Sequence, residues 1–281
     1  MLKIQKDSNE EEVNWNDFWV NLPQDPLEHI NAPRTWGDVS WRISLQEWLH
    51  LFKQLAPGNK LLECGCGTAT LSRYMAKHGY DCTMLDNSEE AINLAKYGFS
   101  KMLLKGDFHV GDINHLNFDD NSFDIVYSGG VLDFFENIEK PISEMARVIK
   151  PGGIFSATIF SKTTNVQTLG NLQITIAHAI RSIFKGRWHE IFRYHRLIPK
   201  NYHVNTKSLA AYVKACHDAG LIDIKVLYTA PFPDLSLPKA LSNSYVRFLL
   251  RNENLWSKFN LTNHFWHRWI GITIMLYATK E

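Results

Sequence analysis

From Lys60 onward, short apolar runs alternate with amphipathic stretches, a rhythm that predicts a parallel sheet covered by helices. The first strand is read at residues 60–64 and the first helix of the repeat at 70–78, closed by Gly79. The second strand is read at 80–85, and a helix follows Asn87, where Asn87-x-x-Glu90 has the spacing of a capping box. Residues 102–104 and 107–111 compete for the third strand, with the second run favoured. Residues 123–128 form the fourth, followed by a helix at 138–149 that tolerates Pro141 in its first turn. Pro151-Gly152-Gly153 then turns the chain into a fifth strand at 154–160. Further on, a helix at 206–219 leads into a strand at 222–228, and residues 271–279 supply one more.

This reading divides the chain into an N-terminal extension (1–58), a core (59–160), a basic, partly helical insertion (161–205) and a C-terminal return to the sheet (206–281) that carries an aromatic insertion at 231–268. No internal repeat or low-complexity run interrupts it.

The chemistry concentrates at the ends of the first strands. Leu61-Leu62-Glu63-Cys64-Gly65-Cys66-Gly67 is a strand running into a glycine-rich turn that opens a helix, so that a ligand can lie against bare backbone at Gly65, Cys66 and Gly67. A dinucleotide fingerprint would place Gly or Ala where this chain has Thr70, and Glu63 is not part of that pattern. An acid there suits a ligand bearing an ammonium group and no pyrophosphate. Asp86, 21 residues after Gly65, ends the second strand beside Asn87, in place to accept from ribose hydroxyls. Asp112 is placed to accept from an adenine amino group, Ile113 to pack on the ring, and Ser128, ahead of Gly129-Gly130, to leave space at the reacting end.

Composition narrows the classes. Thirty Lys+Arg against 29 Asp+Glu leave a formal charge of +1, too little field to hold a polyanion, so nucleic acid is not expected as a partner. Four cysteines do not make a disulfide framework, Cys64-Gly65-Cys66 lacks the second ligand pair of a zinc site, and no metal is expected. With no apolar run of transmembrane length and no signal-peptide pattern, a cytoplasmic protein is expected. Aromatic residues such as Trp256, Phe265 and Trp266 leave room for contact with a membrane surface.

The ordered runs LLECGCGTAT, TMLDNS, VGDINHLNFDDNSFDIVYSGGVL and MARVIKPGGIF, spanning 60–160, resemble the class I S-adenosylmethionine-dependent methyltransferases, in particular the small-molecule branch with the type-11 methyltransferase domain. The resemblance implies a Rossmann-like α/β fold whose seven-stranded sheet is parallel except for an antiparallel last strand. S-adenosylmethionine would lie across the strand ends and donate its methyl to an O, N or C atom of a small-molecule acceptor. The alternatives are an RNA or protein methyltransferase, or a non-catalytic binder of the same cofactor. Members of the family often carry His where this chain has Phe134, so a base, where one is needed, is sought at Asp133 or at His203 in the insertion. Trp15, Trp19, Trp36 and Trp41 are expected to roof or support the acceptor pocket.

Overall fold

The apolar runs at 61–64 and 125–128 become the two central strands of a sheet covered on both faces, which is why Leu61, Leu62, Cys64, Ile125 and Val126 lose all contact with solvent. In a computed structural model of the 281-residue chain, the described residues are 32–160, 176, 180–186, 207–229, 239–259 and 273–281. The elements in chain order are α1 (Trp36–Leu55), β1 (Lys60–Cys64), α2 (Thr70–Lys77), β2 (Asp81–Asp86), α3 (Glu89–Lys101), β3 (Asp107–Val110), β4 (Phe123–Gly129), α4 (Glu139–Val148), β5 (Ile149–Phe160), α5 (Leu209–Asp218), β6 (Leu221–Thr229), α6 (Lys239–Arg251), α7 (Glu253–Phe259) and β7 (Thr273–Lys280). A single 3-10 turn, Leu132–Phe134, follows β4.

The strands form one sheet in the order β3-β2-β1-β4-β5-β7-β6. All neighbours are parallel except that β7 runs antiparallel to both β5 and β6. This is the Rossmann-like arrangement that the resemblance implied. Strand order reverses direction at β1 and β4, so the loops after these two strands open into one crevice at their C-terminal ends.

Local chemistry refines several expected boundaries. The third strand takes the run at 107, because the rival run at 102–104 ends α3 and turns through Leu103, which adopts φ +54°. The cap of α3 is Ser88 and not Asn87. Ser88 is extended (φ −94°, ψ 122°) and its Oγ accepts from Ala91 N at 3.2 Å, with Glu89 and Glu90 in the first turn facing the positive end of the helix dipole. Strand β5 starts five residues early, at Ile149, since Pro151-Gly152-Gly153 forms an irregularity within the pairing with β4 and does not precede it.

The flanking segments are partly helical. Thr35 and Asp38 cap α1 reciprocally, and its Leu45, Trp48 and Phe52 pack into the apolar cluster on one face of the sheet. The other edge of α1 meets α6: Val39 and Ile43 are buried with Val246 and Leu249, and Arg42 Nε lies 2.8 Å from Glu253 Oε1. Part of the N-terminal extension and part of the aromatic insertion thus pack together beside the core.

Candidate cofactor site and acceptor turn

The loop after β1 is built by backbone that only certain residues adopt. Gly65 (φ +69°), Gly67 (φ +51°) and Ala69 (φ +52°) all occupy the left-handed region, and the amides of Gly65 and Cys66 both donate to Leu85 O, at 2.7 and 3.0 Å. A Cβ on Gly65 would also come within 2.3 Å of Val131 Cγ2, in the segment after β4. The glycine loop and the post-β4 segment are therefore in direct contact. Gly65→Ala is expected to cost about 2–4 kcal/mol of stability from backbone strain and overpacking together. Urea unfolding should show the drop, and a midpoint like that of the parent would contradict this account of the loop.

Asp86 pins the loop from the neighbouring strand. Its Oδ2 accepts from Gly67 N at 2.9 Å and its Oδ1 from Ser88 N at 3.0 Å. A carboxylate offers about four lone-pair sites, so with its backbone amide donors bound it keeps capacity for a further donor, such as a hydroxyl. Burial raises the Asp86 pKa above the ordinary carboxyl value, opposed by the backbone amides of Ser88, Gly67 and Asn87. Asn87 itself is exposed beside this carboxylate.

Glu63 serves the loop from within β1. Ala69 has no side chain to cap α2, and Glu63 Oε2 takes over that role by accepting from Ser72 N at 3.0 Å and Ser72 Oγ at 2.5 Å. Burial pushes the Glu63 pKa up to about 7; the two bonds from Ser72 and the charge of Arg73 draw it down, while Asp86 pushes it further up. A buried carboxyl so poised gains most from a cationic ligand group. Ser72 is the partner that sequence reasoning missed, because it sits nine positions away and becomes a neighbour only when the chain reverses through Gly65–Ala69.

The other expected residues fall in different environments. Cys66 is buried and its thiol is held well above its ordinary pKa, so it contributes backbone and no thiolate. Asp112 is exposed, its Oδ1 accepting from Asn114 N and Nδ2, both at 2.9 Å, while Ile113 is buried in the same cluster as Leu85 and Leu116. Ser128 is fully buried, and its Oγ has no hydrogen-bond partner among the described residues. Asp133 is also fully buried, and its Oδ1 accepts from Tyr212 Oη of α5 at 3.2 Å. That enclosure ties Asp133 to α5 and to the turn after β4. His203, Trp15 and Trp19 lie outside the described residues. Trp36 packs with α6, and Trp41 meets Trp48 edge-on at 5.8 Å, with Trp48 in turn 5.3 Å from the Tyr127 ring of β4.

The loop that carries Asp112 and Ile113 is tethered by a residue whose role the sequence did not disclose. Arg147 of α4 donates to Leu116 O at 2.8 Å and Phe118 O at 2.9 Å, and pairs with Glu144, which accepts from Leu116 N at 3.0 Å. Arg147→Met is expected to remove about 1–3 kcal/mol, since two partly buried carbonyls lose a charged donor. Thermal melts should register it as a fall of several degrees, and an unchanged melt would show that the loop stands without Arg147.

An open apolar hollow between α5 and β6, lined by Leu209, Val213, Ile224 and Val226 among others, contains none of these groups. Among the described residues there is no cluster of three His, Cys, Asp or Glu side chains able to hold a metal.

Residues 62–157 match the methyltransferase domain family. Among curated relatives, a ubiquinone biosynthesis O-methyltransferase of Coxiella burnetii is 36% identical over 36% of this chain and 44% of its own length. A demethylmenaquinone methyltransferase of Corynebacterium efficiens is 35% identical over 53% of this chain and 60% of its own. The chain thus spans less than two thirds of the length of either. Among solved structures, the cyclase SpnF superposes with a TM-score of 0.52 at 17% identity, covering 85% of this chain and 80% of that one, a likeness of fold alone. Residues 62–157 thus resemble the methyltransferase domain of the class I S-adenosylmethionine-dependent enzymes, on a sheet of the Rossmann-like order. S-adenosylmethionine is the cofactor of that class, and the buried Glu63, the Asp86 carboxylate and the side-chain-free loop fit its ammonium, ribose and main-chain contacts in kind.

Proposed function

We propose that the chain catalyses methyl transfer from S-adenosylmethionine to an O, N or C atom of a small, apolar acceptor. The reading is carried by two buried carboxyl groups, Glu63 and Asp86, that flank bare backbone where the ends of β1 and β2 meet. Glu63 would hold the amino-acid cation, Asp86 the ribose, and Asp112 with Ile113 the adenine side. When bound, the cofactor supplies a methyl already activated as a sulfonium. The residues of the chain then bind, align and exclude water, and alignment of this kind is worth about 7–11 kcal/mol. Ser128 and the turn at Val131–Phe134 would border the reacting end, with Asp133 and Tyr212 fixing that turn. The names of the curated relatives, a ubiquinone-pathway and a demethylmenaquinone enzyme, favour a lipophilic acceptor.

Because the same fold occurs in a cyclase, fold alone does not decide the reaction. Incubating the protein with methyl-labelled cofactor and cell extract, then separating lipids, polar metabolites, RNA and protein, tests the proposal. Label in an organic-soluble small molecule is the expected outcome. Label in RNA or protein, or binding without any transfer, would replace it with one of the two alternatives.

A further inference from the structure

Helices α6 and α7 meet at a turn at Asn252, whose N–H donates to Phe248 O at 3.3 Å and whose carbonyl accepts from Trp256 N at 3.1 Å. One face is occupied, with Val246 and Leu249 buried against α1 and Trp256 packed beside them. Trp256, a residue from which the sequence suggested membrane contact, therefore turns inward. A different stripe is left in solvent. Leu241, Phe248 and Leu255 are 57%, 52% and 48% exposed; Leu241 and Phe248 share one side of α6 by their seven-residue spacing, Phe248 also meeting Trp256 edge-on at 6.1 Å, and Leu255 follows on α7. Arg247 and Arg251 of α6 and Lys258 of α7 are exposed as well. Between 241 and 258 the single acid, Glu253, is engaged by Arg42.

Large apolar side chains held in water beside unopposed cations form the surface of a helix that lies in a bilayer interface. A second described helical piece repeats the chemistry: Ile180, Ile183 and Phe184 are exposed next to Arg181 and Lys185, with Phe184 at 87%. No helix among the described residues is long and apolar enough to cross a membrane. We infer that the Leu241–Phe248–Leu255 face docks the protein on an anionic lipid bilayer, with Arg247, Arg251 and Lys258 at the headgroups and the apolar stripe below them. The inference does not depend on methyl transfer.

Flotation of the full chain with vesicles tests it. Vesicles of phosphatidylcholine containing about a third phosphatidylglycerol should carry the protein up the gradient at least about 10-fold better than pure phosphatidylcholine, and about 0.5 M salt should release most of it. Arg251→Glu with Lys258→Glu is expected to reduce flotation about 10-fold, and Phe248→Ser with Leu255→Ser by a similar factor. Binding of S-adenosylhomocysteine, followed by calorimetry, should remain at the parent value in all four substitutions, which separates a failed surface from a failed cofactor site. Both pairs are exposed, and the charge pair tests the surface even if the apolar pair impairs folding. Flotation that ignores lipid charge, flotation unaffected by the charge pair, or a dimer in light scattering that Phe248→Ser dissolves would each overturn the inference.

Discussion

Replacing Asp86 with Ala is expected to weaken binding of S-adenosylmethionine and of its demethylated product by roughly 100-fold, with a smaller loss of stability. Two effects combine. The direct one is the loss of an anionic acceptor for hydroxyl donors, each charge-assisted bond contributing about 1.5–3 kcal/mol. The indirect one is the release of the glycine loop, because Gly67 N and Ser88 N both donate to this carboxylate and would be left without acceptors. Asp86→Asn is expected to recover little. An amide offers one acceptor oxygen where the carboxylate presents two, so an NH2 group must face one of the two backbone N–H donors. Calorimetric titration of the purified variants measures both. An Asp86→Ala protein that binds the product as tightly as the parent would remove Asp86 from the site, and with it the assignment of the ribose.

Much of this site was legible in the sequence because the fold places it there by local means. A parallel strand that ends in Gly-x-Gly and opens a helix has few conformations available, and Asp86 reaches the same crevice simply by ending the adjacent strand. Harder to read was which atoms those acids already hold. Glu63 could be recognised as an acid beside a loop, but its work as a remote cap for α2 depends on Ala69 being unable to cap, and on a reversal that brings Ser72 back to it. The contact of Gly65 with Val131 spans 66 positions and leaves no periodic trace. The Asn87-x-x-Glu90 spacing pointed to the wrong cap because Ser88 offers a similar acceptor one residue later, and the backbone chose it. The bond that Asp133 accepts from Tyr212 spans 79 positions and was equally out of reach of local patterning. Helices α1 and α6 were missed as a unit for the same reason: their apolar stripes face each other across roughly two hundred residues of sequence.

The pKa of Glu63 makes a separate, signed prediction. Raised from 4.5 to about 7 by burial, the carboxyl is neutral in the ligand-free protein at mildly acid pH and becomes a buried anion as pH rises. Its contribution to stability is therefore fully present below the unfolded-state value of 4.5 and is lost as pH climbs through about 7, a difference of up to about 3 kcal/mol. A ligand ammonium reverses that cost, because the bound cation favours the ionised form. Affinity for S-adenosylhomocysteine should accordingly strengthen by up to tenfold per pH unit from about pH 5.5 to about pH 7, then level off. Glu63→Gln, which still offers Ser72 an acceptor, should bind about as well as the parent near pH 5.5. Near pH 8 it should bind far more weakly, with an almost flat profile between the two. Thermal melts without ligand should show the complement, the variant keeping stability that the parent loses between about pH 5 and pH 7.5. A Gln variant whose affinity tracks the parent at every pH would mean that the ammonium is held elsewhere, and that Glu63 serves only to cap α2.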